Sequence, residues 1–318
     1  MSDRLGFHKK IMLEINRTVL KQRIDEHELH QLFWECTLRC NLNCRHCGSD
    51  CRMLSEKDDM PFEDFAKVLD EVRAHQDPGK VMVITTGGEP TMRNDLAHCG
   101  KEITNRGFVW GMVCNGMLLS PEKLNEFVAA GLKSLAVSFD GFEEDHNWMR
   151  GNPMSYKNVL RAVEAMKQHP SLTWDVITCV NQRTIKYLPQ FRDFLISLGI
   201  RRWRLFTVFP SGRAANDPEL RLSNSQFVEM MEFIKDTRLQ GKIRADYGCD
   251  GFLGNMRARC VTIIILAAQA STSPLCWPMA PYQAASASAA TIIRATSTKT
   301  VFGTFGKTSS KSIATANG

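Results

Sequence analysis

The chain has 318 residues, 43% hydrophobic and 23% charged, which is enough for one large α/β domain with an additional segment. No run of about eighteen uncharged apolar residues occurs near its start or middle, and residues 1–10 lack the apolar region of a signal peptide. We therefore expect a soluble, cytoplasmic protein without a membrane partner. The net charge of +6 lies wholly in residues 256–318, which argues against a nucleic-acid partner for the rest of the chain.

Strand and helix patterns alternate along most of the chain. Residues 1–30 predict an amphipathic helical segment, with apolar residues at helical spacing over 8–24. Within residues 31–240, strands are predicted at 31–38, 80–86, 108–114, 134–139, 173–180 and 202–209, and helices at 62–75, 95–106, 121–130, 156–168, 188–198 and 223–239. Six apolar, β-branched strands, each followed by a helix, predict a parallel sheet. We expect an α/β fold, a partial and open TIM-type barrel of about six strands with outer helices.

A cysteine-rich loop follows the first strand, at the end where α/β barrels place their chemistry. Cys40, Cys44 and Cys47 form C-x3-C-x2-C, and soft thiolates select iron–sulfur clusters, zinc or copper(I). Three thiolates would leave one iron of a four-iron cluster without a protein ligand and free to bind a substrate. Zinc is less favoured, because no second C-x2-C unit or His pair follows at suitable spacing. Cys36 and Cys51 lie outside the triplet and are predicted to be ordinary or supporting cysteines, not ligands.

The cysteine triplet with His46 before its last member resembles the cluster loop of the radical S-adenosylmethionine (SAM) enzymes. The resemblance implies a 4Fe-4S cluster whose open iron is chelated by the amino and carboxylate groups of SAM, with His46 near the adenine. It also implies reductive cleavage of SAM to methionine and a 5′-deoxyadenosyl radical, which takes hydrogen from a substrate. An electron donor such as flavodoxin or ferredoxin is then an expected partner.

The second predicted strand is followed by a turn formed by Gly87, Gly88, Glu89 and Pro90. Glycines let the backbone approach a ligand closely, and a carboxylate suits an ammonium group. Taken alone, this tetrapeptide is also an ordinary turn. One strand after the cysteine loop, it resembles the motif that binds the SAM amino group in the same family.

Three further strand ends carry candidate SAM-binding residues. Asn115 lies in C-N-G, where Cys114 replaces the usual Thr of the family's T-N-G, and Ser138 and Asp140 lie in S-F-D-G, which resembles S-x-D-G. These side chains could bind a ribose or the methionine carboxylate, or could simply cap turns. Arg213, in P-S-G-R after the sixth strand, could meet a carboxylate of SAM or substrate, or be a solvated turn residue.

Residues 256–318 differ in character from the rest, being rich in Ala, Ser, Thr and Ile and without acids. Low-complexity composition predicts disorder. A shifted reading frame from near Asn255 is the sharper explanation, because permitted codons then restore a C-x12-G-x4-C spacing. That spacing resembles the SPASM extension of peptide-modifying radical SAM enzymes, so residues 241–318 are interpreted as the remnant of an extension that holds auxiliary clusters.

The leading hypothesis is a radical SAM enzyme acting on a peptide or protein. No residue is assigned as a catalytic acid or base for the substrate. One alternative is a non-catalytic iron–sulfur or zinc-binding protein, and another is an inactive, frameshifted pseudo-enzyme. Formation of 5′-deoxyadenosine from SAM separates the leading hypothesis from both.

Overall fold

The computed structural model describes residues 11, 14, 15, 18, 29–55, 58–249, 260 and 289–294. Of the N-terminal helix predicted over residues 8–24, positions 11, 14, 15 and 18 are helical, and the remainder lies outside the described residues. The described part of the chain contains no helix that is both long enough and apolar enough to cross a bilayer.

One parallel sheet organises the described residues. Its strands are β1 (Leu29–Thr37), β2 (Met82–Gly87), β3 (Val109–Cys114), β4 (Leu132–Ser138), β5 (Thr173–Val180), β6 (Arg202–Thr207), β7 (Arg244–Tyr247) and β8 (Ala289–Arg294). The order across the sheet is β7-β6-β5-β4-β3-β2-β1-β8, and every neighbouring pair is parallel. Consecutive parallel strands joined by helices confirm the predicted partial TIM-type barrel.

Seven α-helices within residues 58–249 connect the strands, and short 3-10 turns lie between them. They are α1 (Phe62–His75), α2 (Leu96–Asn105), α3 (Pro121–Ala129), α4 (Glu143–Arg150), α5 (Ser155–Lys167), α6 (Leu188–Ser197) and α7 (Asn224–Gln240). Their local signals are strong: Ser120 caps α3 ahead of Pro121, and Ser223 forms a capping box with Gln226 at the start of α7. Six of these helices match the predicted ones within two residues at each end.

Three elements were not predicted. Helix α4 is short and strongly polar, and β7 has only four residues, so each contains few apolar residues to mark it. Strand β8 lies inside 256–318, where disorder was expected, and for these six residues the structure corrects the prediction. The sequence A-A-T-I-I-R is partly β-branched, and the edge of β1 offers unpaired backbone groups, which together favour strand addition. Apart from Cys260, the rest of 256–318 lies outside the described residues.

Two apolar layers lie on opposite faces of the sheet, because successive strand residues point to opposite sides. Trp34 faces the helices and stacks on Phe65 of α1, with ring centroids 4.2 Å apart. The preceding residue, Phe33, belongs instead to the inner layer with Ile84 and Phe206, from β2 and β6. The filled layers fix the strands, so the loops at their carboxyl ends converge at one end of the barrel.

Candidate functional site

The cysteine loop leaves β1 at the carboxyl end of the sheet. Cys40 and Cys44 are buried, Cys47 is half-buried, and all three are free thiols. They pack with Leu42 and Cys51 into one small cluster of side chains. The loop returns alongside its own beginning, where the Cys40 N–H donates to the Arg52 carbonyl at 2.7 Å. The sequence triplet is therefore assembled in space.

The three thiols have different electrostatic surroundings. Burial raises the pKa of Cys40 to about 12 and also raises the pKa of Cys44, where Arg150 acts in the opposite direction. The pKa of Cys47 is lowered to about 5, chiefly by a hydrogen bond from the Cys51 thiol, with backbone N–H groups adding to the effect. Cys51, which was predicted to be an ordinary or supporting cysteine, packs in the same side-chain cluster as the candidate ligands.

Three thiolates from one short loop are a donor set that suits an iron–sulfur cluster. Among the described residues, no three His, Cys, Asp or Glu side chains converge closely enough to hold one metal ion. In a 4Fe-4S cluster each thiolate binds a different iron, so the thiols do not need to converge on a point. Cys40, Cys44 and Cys47 are the side chains that could hold it. Cys36 is fully buried, and its thiol donates to the Thr86 carbonyl at 3.3 Å, away from the triplet.

Gly87, the last residue of β2, and Gly88 lie against the start of the cysteine loop. Gly87 has a φ of +126°, and a Cβ there would lie 2.2 Å from the Thr37 carbonyl oxygen. A Cβ on Gly88 would lie 2.2 Å from the carbonyl oxygen of Arg39. The Gly88 N–H donates to Thr37 and the Glu89 N–H to Arg39 at 2.8 and 2.9 Å, so the glycines seat β2 against the base of the loop.

Glu89 is buried and joins two of the predicted motifs. One carboxylate oxygen accepts from the Thr91 N–H and hydroxyl, in the turn that Pro90 opens, and the other accepts from the Asn115 N–H at 2.7 Å. Burial raises the pKa of Glu89 above its usual value, although these donors act in the opposite direction. Asn115 in turn donates from its side chain to Asn41 of the cysteine loop at 2.8 Å.

The S-F-D-G motif ends β4 with half-buried Ser138 and fully buried Asp140. Asp140 accepts from Arg150 Nε at 2.6 Å and from the Cys179 N–H at 2.9 Å, and its own N–H donates to His146 Nδ1 at 3.1 Å. Burial opposes ionisation of Asp140, but the Arg150 guanidinium, together with neighbouring groups and the Cys179 N–H, holds the pKa of the carboxyl below its usual range. Asp140 is therefore a buried anion with both oxygens bonded.

Arg150 and His146 were missed from the sequence because α4 itself was not predicted. Arg150 Nη1 lies 3.7 Å from Cys44 Sγ, and the carbonyl of Met149 accepts from the Arg45 N–H at 2.9 Å. The carboxyl end of α4 therefore rests on the cysteine loop. Three consecutive acids and a following glycine mark the start and end of this helix and were the available signals.

The two remaining candidates lie at the loop itself. Within the described residues, His46 Nδ1 is buried without a hydrogen-bond partner, and burial lowers the pKa of the ring to about 4, so the imidazole is neutral. Arg213 does not behave as a solvated turn residue, because its side chain donates to the carbonyls of Cys44 and Cys51 and to Asp50. Arg213 therefore contacts the cysteine loop directly, as do Glu89 through its backbone and Asn115 through its side chain.

Comparison with known proteins agrees with the radical SAM resemblance of the cysteine loop. The family model described as the Radical SAM superfamily matches residues 34–195, slightly more than half of the chain. An AdoMet-dependent heme synthase of Methanosarcina barkeri is 27% identical over 217 residues, 68% of this chain and 60% of that protein. A PqqA peptide cyclase of Bradyrhizobium diazoefficiens is 27% identical over 219 residues, 67% and 56% of the two chains. The chain thus spans less than two thirds of the length of these relatives.

Solved structures share the fold at low sequence identity. Streptococcus suis SuiB bound to precursor peptide SuiA has a TM-score of 0.59 and 14% identity, over 79% of this chain and 57% of that one. The AdoMet-bound structure of anSMEcpe has a TM-score of 0.57 and 17% identity, over 68% and 62%. With the family match, the cysteine triplet and the assembled strand ends, the chain belongs to the radical SAM superfamily, enzymes that work with SAM and a 4Fe-4S cluster.

Proposed function

We propose that this chain uses Cys40, Cys44 and Cys47 to hold a 4Fe-4S cluster and acts on a peptide or protein. When bound, the cluster and SAM supply reductive cleavage of SAM and abstraction of hydrogen from the substrate. The protein contributes the remaining requirements, which are to bind both groups, orient them and exclude water. A flavodoxin or ferredoxin is the proposed electron donor.

One connected network carries the proposal. Glu89 accepts from the Asn115 N–H, and the Asn115 side chain donates to Asn41, three residues before Cys44. The ends of β2 and β3 are therefore bonded to the loop that carries the thiols. A site held by such supporting bonds keeps its first contacts in a fixed geometry, which a cofactor site requires.

The proposed SAM-binding residues line the strand ends next to this network. They are Gly87, Gly88, Glu89, Pro90, Asn115, Ser138, Asp140, His46 and Arg213. Asp140 contributes as a fixed negative charge rather than as a substrate base, because both of its oxygens already accept hydrogen bonds. The neutral His46 ring offers an unpartnered Nδ1 atom to a bound group. Arg213 is already occupied by the loop, so its contribution is indirect.

The peptide substrate is supported by the relatives. PqqA peptide cyclase by its name acts on a peptide, and SuiB and anSMEcpe have been solved with peptides bound. The heme synthase and an Fe-coproporphyrin III synthase of Methanosarcina barkeri point to an iron porphyrin instead. We favour the peptide because the C-x12-G-x4-C spacing of the alternate frame resembles the SPASM extension of peptide-modifying enzymes.

Anaerobic reconstitution with iron and sulfide, followed by dithionite and SAM, tests the reaction. We expect 5′-deoxyadenosine from the wild type and none from Cys44→Ala, with activity retained by Cys99→Ser, whose thiol lies on α2 outside the cysteine loop. A protein that binds iron without cleaving SAM would support the non-catalytic or pseudo-enzyme alternatives. A protein that binds only zinc would exclude the cluster.

Deuterium transfer tests the substrate class. The reconstituted protein is incubated with SAM and either a peptide extract from source cells grown in deuterated water or deuterated Fe-coproporphyrin III. We expect deuterium in 5′-deoxyadenosine from the peptides and not from the porphyrin. Transfer from the porphyrin alone would contradict a peptide substrate while leaving the radical SAM reaction intact.

A further inference from the structure

Residues 212–217, which follow β6, contact the cysteine loop from the opposite side of the barrel opening. Arg213 Nε donates to the Cys44 carbonyl at 2.7 Å, and Nη1 donates to the Cys51 carbonyl at 3.1 Å and to Asp50 Oδ1 at 2.6 Å. The backbone N–H of Arg213 donates to the Cys47 carbonyl at 3.0 Å. One residue therefore bonds the backbone at two candidate cluster ligands and at Cys51, which packs in the same side-chain cluster as Cys40 and Cys44.

Gly212 makes this contact possible. Its φ is +55°, and a Cβ would lie 2.5 Å from the carbonyl oxygens of both Cys47 and Gly48. A side chain at this position would push the two segments apart. The pair Gly212 and Arg213 is thus fitted to the cysteine loop by both backbone shape and hydrogen bonding.

A second contact, between Arg45 and Asp217, joins the same two segments. Arg45, between Cys44 and His46, donates from Nε and Nη2 to Asp217 Oδ2 at 3.0 and 2.7 Å. Its guanidinium also lies over the ring of Trp148 in α4, 4.3 Å from the centroid. The same stretch of chain after β6 therefore contacts the cysteine loop at two separate places.

These contacts join parts of the sheet that are far apart. Four strands separate β1 from β6 in the sheet, so backbone pairing within the sheet cannot connect the cysteine loop to residues 212–217. Arg213 has a planar guanidinium that can donate in several directions at once, which suits it to hold several loop acceptors together. Loss of these bonds would free the carboxyl half of the loop, which carries Cys44 and Cys47.

We propose that Arg213 is a positioning residue for the cluster, which holds the cysteine loop through its backbone and thereby sets how long the cluster stays bound. It acts through the loop and needs no direct contact with the cluster, SAM or substrate. This role goes beyond the proposed peptide chemistry, since its test requires no substrate.

The test compares cluster release from reconstituted Arg213→Gln, Arg213→Lys and wild-type protein. Outer-shell substitutions at metal sites cost roughly 10- to 100-fold in affinity, so we expect Arg213→Gln to release iron to a chelator at least about tenfold faster. Arg213→Lys keeps the charge but loses the fork, and an intermediate rate is expected. Arg221→Gln is the matched control, because Arg221 follows β6 too but donates to the Ala215 carbonyl and not to the cysteine loop.

A second pair of variants covers the case in which Arg213→Gln fails to fold. Gly212→Ala forces a Cβ against the loop, whereas Gly241→Ala is equally strained at a φ of +69° but has nothing within 4 Å. We expect faster iron release and an altered electron paramagnetic resonance signal of the reduced cluster only in Gly212→Ala.

The positioning role would be overturned if Arg213→Gln released iron at the wild-type rate. It would also be overturned if the two glycine variants released iron at the same rate. Weaker SAM binding by Arg213→Gln with unchanged iron release would overturn it as well, and would indicate direct SAM contact. Failure of the wild type to bind iron would instead contradict the cluster assignment itself, so the two failures are distinguishable.

Discussion

Arg150 and Asp140 form a buried ion pair at the end of β4, with Nε 2.6 Å from Oδ2, and the same guanidinium reaches to 3.7 Å from Cys44 Sγ. Both side chains are almost fully excluded from solvent. The pair therefore links Asp140 of the S-F-D-G motif to the candidate ligand Cys44 through helix α4, which was not predicted from the sequence.

Arg150→Met is expected to destabilise the protein by about 3–5 kcal/mol, because it leaves the Asp140 charge buried without its partner. Chemical unfolding of the cluster-free protein measures this. The double variant Arg150→Met with Asp140→Asn removes both charges and is expected to recover part of the loss. A single variant as stable as wild type would contradict the pairing.

His146 is expected to make stability fall in mild acid. Burial is the main reason that the pKa of its ring is lowered to about 3; Arg150 also lowers this pKa, and Asp140 raises it. In addition, Nδ1 accepts a hydrogen bond from the Asp140 N–H and must therefore remain unprotonated. The unfolded state takes up a proton below about pH 6.5 and the native state does not. Stability is thus full above the unfolded pKa and is lost as the pH falls towards 3.

The expected loss of unfolding free energy is about 1.4 kcal/mol for each pH unit, or about 2 kcal/mol between pH 6.5 and pH 5. Unfolding free energies of wild type and His146→Asn at these two pH values measure the difference. The variant cannot take up this proton and should lose about 2 kcal/mol less. Parallel losses in the two proteins would show that His146 is not buried as a neutral ring.

Gly88→Ala should weaken the site through the backbone alone. Its Cβ would lie 2.2 Å from the Arg39 carbonyl oxygen, so the cysteine loop or β2 has to move. We expect a loss of about 1–3 kcal/mol, typical of overpacking, together with lower iron content after reconstitution. Gly48→Ala is the control, because it lies in the same loop with nothing within 4 Å. Equal iron content in the two variants would contradict the close contact.

The tail hypothesis is tested on nucleotides. If one nucleotide was lost near Asn255, the alternate frame is open from that point, encodes the C-x12-G-x4-C spacing and continues past the present stop. Early stop codons in that frame would exclude the hypothesis. The reconstituted chain should then hold about four iron atoms, as for a single 4Fe-4S cluster, and about eight or more would contradict a missing auxiliary-cluster region.

Local patterns determined the elements and the chemistry. Helix α1 and strand β5 have the predicted bounds, because apolar period and capping are properties of neighbouring residues. The spacing of Cys40, Cys44 and Cys47 indicated the donor set in the same way, since one short loop carries all three. The glycines at the end of β2 were singled out by their position in the sequence, and their close contacts with Thr37 and Arg39 became visible only in the structure.

The tertiary structure alone decided which distant residues support that loop. Arg150 contacts Cys44 across 106 positions and Arg213 across 169, and no short-range pattern reports contacts at such separations. Parallel strands bring their carboxyl ends together only when the sheet closes towards a barrel. The cysteines and Arg213 could therefore be found by reading the chain, whereas Arg150, and the contacts of both arginines with the cysteine loop, required the folded sheet.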